Sequence, residues 1–330
     1  MSSTTSQRLW GKAIAIASTI LLLGGCADAT ADPTTGTDAQ GDLEVVKVGV
    51  IPVADFVPVF IAQREGFFED EGLDVEVQIS QNAASITPSV LNGQLQFGTA
   101  ASTPFISAVA KGLPITAVAN TSTVSSDPKL DLNSILAMPE SGIERPRDLV
   151  GKTVAVNALA AISQVTAAGS IEKDGGDLGE VTFVAMPFPE MLGALERGTV
   201  DAAVMAEPFY AQGTAAGANT IVNPNSDTLV PGTCTLMFTS QQFASQNPDV
   251  VGAFQRAINR ASLAGAADPE MVKSVLESDL NLSAEVLESM RLPVLSDELS
   301  VDALQHMADL MRRLGFLEND VDASSAIWAP

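Results

Sequence analysis

Residues that could contact a small molecule follow most of the predicted strands of this sequence. In chain order they are Asp55, Phe56, Gln81, Asn82, Ala101, Ser102, Thr103, Asn157, Ala160, Ser163, Phe188, Glu190 and Glu207. Several stand at a predicted helix start, where backbone N–H groups are free and the helix dipole is positive. Polar groups in this position are typical of non-covalent solute binding, and we predict that these residues bind a ligand.

Catalytic, metal and cofactor chemistry would need other residues. His306 is the only histidine, and it lies in an amphipathic C-terminal segment, so neither a Ser-His-Asp nor a Cys-His arrangement is expected. The sequence contains no Gly-rich phosphate loop, no G-x-G-x-x-G turn, no C-x-x-C pair and no H-E-x-x-H. We therefore predict no catalytic residue, no cofactor and no metal, although a site built from carboxylates alone stays open.

Some of the candidate residues have a local explanation that needs no ligand. Thr103 and Glu207 could cap helices, which is worth about 1 kcal/mol. Asp55 and Glu190 have the same alternative, and the aromatic residues Phe56 and Phe188 could belong to the core.

Predicted strands and helices alternate along the chain. The strands cover 45–52, 72–80, 95–100, 115–120, 153–157, 181–186, 201–205, 219–223 and 233–240. Helices separate them, one of them over 162–173, and the segment after the last strand is helical throughout. This alternation favours two α/β units with mostly parallel sheets, followed by a helical tail.

One pattern occurs twice. LNGQLQFGTAASTPF (91–105) and LERGTVDAAVMAEPF (195–209) each run from a helix end through Gly to a strand, a short polar turn and Pro-Phe. Each unit thus presents a helix start directly after a strand. In open α/β sheets, ligands bind in the crevice outside the carboxyl ends of the strands.

The N-terminal 42 residues predict export and membrane attachment. Arg8 and Lys12 precede an apolar run that is too short to cross a bilayer. Residues 1–25 are interpreted as a signal peptide, and LGGC (23–26) as the point where a peptidase cuts before a Cys26 that carries lipid. Residues 26–42 form a polar tether. The alternative is an ordinary signal peptide with a chance cysteine.

Charge and cysteine content limit the partners. Removal of Arg8 and Lys12 leaves 15 of the 17 basic residues against 40 acidic ones, a formal charge of 15 minus 40, or −25. Nucleic acid is therefore not expected as a partner, and the lipid on Cys26 rather than a basic patch would hold the chain at a membrane. Cys234 has no other cysteine to pair with once Cys26 is lipidated.

Four segments carry a resemblance to a known family: VGVIPVADFVPVFIAQREGFFEDEGLDVEVQ, GQLQFGTAASTPF, FPEMLGALERGTVDAAVMAEPF and LSVDALQHMADLMRRLGFL. Residues 45–317 resemble the substrate-binding lipoproteins of ABC importers in the nitrate/sulfonate/taurine and thiamine-precursor group, the SsuA/THI5-like or NMT1-like family. The motifs indicate the family and do not identify the ligand.

The resemblance implies an α/β periplasmic-binding-protein type II fold, with two doubly wound domains around a cleft. Domain I would comprise 43–120 plus 233–330 and domain II 121–232, with crossings at about Asn120 and Thr233. A monomer would capture a solute by hinge closure and deliver it to an ABC permease with its ATPase subunits, at the outer face of the cytoplasmic membrane.

The ligand class stays open among sulfonates, amines, pyrimidines and oxyanions. The predicted turns contain no Arg or Lys, whereas Asp55, Glu190 and Glu207 would repel an anion unless they face away. This charge favours a small organic solute with an amine or N–H donors. For stacking on a ring, the chain offers phenylalanines and Tyr210.

Three other functions could be considered for a chain with these features. A ligand sensor for a membrane receptor would have the same sequence features. The yeast-type pyrimidine synthases resemble this fold but carry a cysteine-rich motif and consume a histidine, which this chain does not match. A menaquinone-pathway dehydratase of similar fold does not fit a lipidated N-terminus.

Overall fold

The computed structural model describes residues 43–80 and 83–329. Within these residues there are ten strands: β1 Glu44–Val50, β2 Leu73–Ile79, β3 Phe97–Ala101, β4 Ile115–Val124, β5 Asn133–Ala137, β6 Thr153–Val156, β7 Thr182–Ala185, β8 Ala202–Ala206, β9 Asn219–Val222 and β10 Gly232–Ser240. Nine of them lie where the sequence predicts a strand, and β5 is the one that was missed.

The helices follow the predicted alternation. They are α1 Val57–Arg64, α2 Phe67–Asp70, α3 Ala83–Leu91, α4 Ser102–Ala110, α5 Ile162–Lys173, α6 Phe188–Glu196, α7 Phe209–Ala215, α8 Pro224–Thr228, α9 Gln241–Gln246, α10 Pro248–Ala267, α11 Pro269–Leu280, α12 Ala284–Ser289 and α13 Val301–Arg313. The last five confirm the helical tail. None of the helices in the described part of the chain is long and apolar enough to cross a membrane.

The strands form two five-stranded sheets of the same design. The first has the order β2-β1-β3-β10-β4 and the second β7-β6-β8-β5-β9. In each sheet one strand, β10 or β5, pairs antiparallel with both of its neighbours, and the other four run in one direction. The mostly parallel sheets expected from the sequence are confirmed, with one reversed strand in each.

The chain leaves the first sheet after Val124 and returns to it at Gly232. We call residues 43–124 and 232–329 the first lobe, and residues 125–231 the second lobe. The sequence placed the crossings at about Asn120 and Thr233, whereas β4 continues to Val124. Residues from Gly41 onward cluster as one compact unit, so the division into two domains stays our proposal.

Each lobe has apolar clusters on both faces of its sheet. In the first lobe, the ring of Phe97 on β3 stacks on Phe254 of α10 with centroids 3.8 Å apart. The cluster on the opposite face contains Phe105 and Leu304, and it also takes in Val165 from α5 of the second lobe. The two lobes are therefore in direct apolar contact through α5.

Gly98 of β3 offers a test of the packing beneath the first sheet. A methyl group at this position would lie 2.3 Å from Cγ2 of Ile86 on α3 and 3.1 Å from the ring of Phe238. Because both neighbours are buried, we expect Gly98→Ala to lower the free energy of unfolding by about 1–3 kcal/mol in urea denaturation.

Gly252 of α10 provides the matched control. A methyl group there meets only the end of Arg256, at 3.3 Å, and the edge of Trp328, at 3.6 Å. Gly252→Ala should gain up to about 1 kcal/mol from helix propensity. Equal urea midpoints for Gly98→Ala and the wild type would show that α3 does not pack on β3 as described.

Candidate functional site

The candidate residues that the structure describes follow the carboxyl ends of parallel strands. β1, β2 and β3 end at one edge of the first sheet, and β6, β7 and β8 end at one edge of the second. Asp55, Ser102 and Thr103 follow strands of the first lobe, while Asn157 and Glu207 follow strands of the second. The structure thus groups the candidates by lobe. That they contact a ligand stays a prediction.

The start of α4 is the most informative part of the site. Ser102 and Thr103 are fully buried, and neither hydroxyl oxygen has a hydrogen-bond partner among the described residues. The N-cap position is Ala101, and no side chain caps it. Thr103 therefore does not serve as the helix cap that the sequence allowed. A buried hydroxyl without a partner costs about 1–3 kcal/mol, so these two groups point to a missing partner.

The start of α5 lies across from α4 in the second lobe. Ser163 is buried and donates a hydrogen bond to Oδ1 of the exposed Asn157. The N–H of Ala160, whose φ is +58°, donates to Gln164 at 2.6 Å. The N–H groups of Gln164 and Val165 donate to the carbonyl oxygen of Ala161, at 3.1 and 3.0 Å, so the N–H groups of Ile162 and Ser163 are the ones at this helix start that another acceptor could use.

The helices α4 and α5 contact each other, because Val165 packs into the cluster that contains Phe105. Two helix N-termini, one from each lobe, therefore meet at the lobe boundary. Since the hydroxyl oxygens of Ser102 and Thr103 are out of contact with solvent, a solute could reach them only if the lobes separate.

The two aromatic candidates pack against other residues. Phe56 is buried in the core cluster of the first lobe. Phe188 is half-buried and stacks on Phe209 with centroids 5.6 Å apart, next to the exposed Glu190. For both phenylalanines, ligand contact stays a prediction.

Glu207 is buried, and its carboxylate bonds to the protein itself. It accepts hydrogen bonds from the backbone N–H of Arg291, at 3.0 Å, and of Ala211, at 3.4 Å. Arg291 belongs to the first lobe, so this contact joins the two lobes.

Arg291 was not among the predicted residues, and Nη1 of its guanidinium group binds three groups of the second lobe. It donates to the carbonyl oxygen of Asp131, to Ser134 at 3.1 Å and to Asn223 at 3.0 Å. It also lies 3.9 Å from the centroid of the Tyr210 ring. Arg291 therefore holds the lobes together, and no local sequence pattern marked it.

Asp55 lies at the junction between the lobes. Asp55 is half-buried, and its carboxylate accepts a hydrogen bond from Ser122 of β4 at 2.7 Å. Ser122 in turn contacts Thr235 of β10 at 2.8 Å. Asp55 is thus tied to the two strands at which the chain leaves and re-enters the first lobe.

Three predicted residues cannot be placed. Gln81, Asn82 and Cys26 lie outside the described residues. Among the residues that are described, no group of three or more His, Cys, Asp or Glu side chains is arranged to hold a metal ion.

The buried carboxyl groups at the lobe junction have raised pKa values. Burial is the largest cause for Asp55, Asp131 and Glu207, and in each case hydrogen bonds to the carboxylate lower the pKa in part. The charge of Asp131 raises the pKa of Asp55 further. These carboxyl groups hold a proton more tightly in the folded chain than in the unfolded one.

This shift gives stability a defined pH dependence. A raised carboxyl pKa stabilises the fold at low pH, and that contribution is lost as the pH rises above the ordinary value of 3.8 for aspartate. Asp55→Asn keeps an acceptor for Ser122 and cannot ionise. We therefore expect the variant to be more stable than the wild type at neutral pH, and the difference to disappear on acidification.

The free energy of unfolding is measured by urea denaturation over a pH series. The buffer contains N-methylglucamine as its cation, so that protons are the only small cations present. Asp74→Asn, at an exposed position of β2 outside the lobe junction, removes one carboxylate from the surface and is the control. An Asp55→Asn chain that is less stable than the wild type at neutral pH would contradict a raised pKa for Asp55.

Comparisons with known proteins agree with this architecture. The NMT1/THI5-like family model matches residues 53–272. The putative aliphatic sulfonates-binding protein of Bacillus subtilis is 27% identical over 330 residues, covering 95% of this chain and 93% of that protein. The taurine-binding periplasmic protein of Escherichia coli is 24% identical and covers 69% of each chain.

Among solved structures, the periplasmic aliphatic sulphonate binding protein SsuA of Escherichia coli has a TM-score of 0.72 at 17% identity. The match covers 86% of this chain and 97% of that one, which confirms the predicted fold class. The pyrimidine phosphate synthase of Schizosaccharomyces pombe, an enzyme, is 22% identical over 64% of this chain. The match to the enzyme is therefore less extensive than the match to the binding protein of Bacillus subtilis.

Proposed function

The chain belongs to the NMT1/THI5-like family, and from this premise we propose that it is the solute-binding component of an ABC importer. It would take up a small organic solute between its lobes, perform no reaction on it and deliver it to a permease outside the cytoplasm. The observation that carries the proposal is the pair of partnerless hydroxyls, Ser102 and Thr103, at a helix start on the lobe boundary. The relatives named as sulfonate- and taurine-binding proteins support it.

The geometry also bears on the ligand class. Asp55 and Glu207 bond to the protein's own groups, and Glu190 is exposed, so the carboxylates offer less opposition to an anion than the sequence suggested. Hydroxyl donors and first-turn N–H groups of α4 and α5 suit a solute with an acceptor-rich group such as a sulfonate. An amine elsewhere on the same solute remains compatible with this arrangement.

A thermal-shift screen tests the proposal. Purified protein would be mixed with alkanesulfonates, taurine, simple amines, pyrimidines and oxyanions. A bound solute stabilises the folded state by mass action, so at least one compound should raise Tm, and we expect sulfonates to do so more than amines. If no compound changed Tm, the proposed solute class would be wrong.

Membrane attachment is a separate proposal, since it depends on Cys26. Cys26→Ala should release the chain from the membrane fraction, because a covalent lipid rather than a basic surface would hold it there. Affinity for the solute should be unchanged. Fractionation followed by immunoblotting makes the measurement, and a variant that remains in the membrane fraction would refute lipid anchoring.

A further inference from the structure

A small pocket lies between the two lobes, separate from the helix starts of α4 and α5. This junction cavity has a volume of about 20 Å³. The first lobe contributes Asp55, Ser122 and Cys234 to its lining, and the second lobe contributes Asp131, Asn133 and Asn225. About 10–15 Å³ is enough for one water molecule, so the cavity can hold a single species of that size.

Asp55, Asp131 and Asn225 bring acceptor oxygens to the lining of the junction cavity. Asp55 accepts one side-chain hydrogen bond, from Ser122. Asp131 accepts from the backbone N–H groups of Asn133, at 3.0 Å, and Ser226, at 2.8 Å. Asn225 is 3% exposed, and its Oδ1 has no partner among the described residues. Two carboxylates and a free amide oxygen thus line one small space.

Neither carboxylate is in an ion pair. Among the described residues, no Lys, Arg or His nitrogen lies within 4.0 Å of a carboxylate oxygen of Asp55 or Asp131. Arg291 donates to the backbone carbonyl of Asp131, and its charge lowers the pKa of the Asp131 carboxyl in part. Burial raises the pKa of Cys234, and the charges of Asp55 and Asp131 raise it further. Buried charges without a partner are costly.

We propose that the junction cavity binds a monovalent cation of about the size of a water molecule, held by the carboxylates of Asp55 and Asp131 and the amide oxygen of Asn225. Oxygen donors of this kind suit alkali ions, whereas Mg²⁺ retains water molecules that the cavity has no room for. Potassium and ammonium match the size of the cavity best. The site does not depend on which solute the protein transports.

The position of the cation has a consequence for closure. Asp55 belongs to the first lobe, whereas Asp131 and Asn225 belong to the second, so one ion would bridge the lobes. It would also cancel the repulsion between two buried carboxylates of opposite lobes. The cation therefore favours the arrangement in which the lobes are in contact, and it should raise the stability of that arrangement.

The test compares Tm in the chlorides of potassium, sodium, ammonium and N-methylglucamine at matched concentration and neutral pH. N-methylglucamine is too large for the cavity and controls for ionic strength. At a potassium concentration about ten times the dissociation constant, we expect Tm to rise by roughly 2–4 °C over N-methylglucamine. Equal Tm values in all four salts would overturn the proposal and would indicate that a proton or a water molecule fills the cavity.

Variants test which residues are responsible for the rise of Tm in potassium. Asp55→Asn and Asn225→Ala should each remove the difference between potassium and N-methylglucamine, whereas the exposed Asp74→Asn should retain it. Thallium(I), a heavy substitute for potassium, should give an anomalous diffraction peak in the cavity of the wild-type crystal. A potassium effect that survives in both cavity variants, or a thallium peak elsewhere only, would place the cation at another site and refute this one.

Discussion

Replacing Ser102 with alanine and Thr103 with valine should weaken solute binding by about 100-fold. Each hydroxyl is expected to donate a hydrogen bond to the solute, and a bond to a charged acceptor is worth about 1.5–3 kcal/mol. At the lower end of that range, two such bonds correspond to about two factors of ten in the dissociation constant. Isothermal titration with the solute that binds best in the thermal-shift screen measures the effect.

The same double variant should be more stable than the wild type when no solute is present. Both hydroxyls are buried without a partner, so removing them removes a cost of about 1–3 kcal/mol each. Higher stability combined with lower affinity separates a binding role from a structural one, because loss of a structural contact would lower both.

Ser262 provides a matched control. It is also buried, and its hydroxyl also lacks a partner, but it lies in α10, away from the strand ends. Ser262→Ala should raise stability without changing affinity. If the double variant at 102 and 103 bound the solute as the wild type does, the start of α4 would not be part of the site.

Replacing Arg291 with methionine should have the largest effect on how the lobes are held together. The change leaves the aliphatic length but removes the guanidinium group that bonds to Asp131, Ser134 and Asn223. Arg291 is half-buried and its acceptors are neutral, and a hydrogen bond to a charged group contributes about 1.5–3 kcal/mol. We expect a loss of that order in urea denaturation, and a larger radius of gyration in solution X-ray scattering.

Solute affinity should also fall in Arg291→Met, because a smaller fraction of molecules would have the lobes in contact.

Arg260 gives the control, since it makes the same kinds of contact within the first lobe alone. It lies 4.0 Å from the centroid of the Phe67 ring and forms a 2.7 Å ion pair with Asp70. Arg260→Met should cost about 1 kcal/mol or less and leave the scattering profile unchanged. An unchanged profile for Arg291→Met as well would show that Arg291 does not join the lobes.

Much of the fold could be predicted because it depends on local patterns. The helix predicted over 162–173 has the same bounds as α5, since it lies between the turn that follows β6 and the pair Gly175-Gly176. The strands were recognisable as β-branched runs. β5 was missed because NSILA is short and is closely followed by Pro139, and its reversed direction depends on pairing with β8 and β9.

The contacts within the site depend on residues far apart in the chain, and sequence patterns do not show them. Arg291 lies in an irregular segment and meets Glu207 across 84 residues. Asp55 was recognised at a strand end, but its partner Ser122 lies 67 residues away. For Thr103 the local pattern indicated a helix cap, and only the three-dimensional structure shows its hydroxyl without a partner.

If the two lobes close on a small solute and leave it chemically unchanged, the bound solute must be recoverable intact. Native mass spectrometry of the purified chain after incubation with the sulfonate and taurine panel makes this measurement. We predict a complex with one solute molecule per chain, from which the solute is released with its original mass. A released compound of altered mass, or the free chain alone at every concentration, would contradict the account.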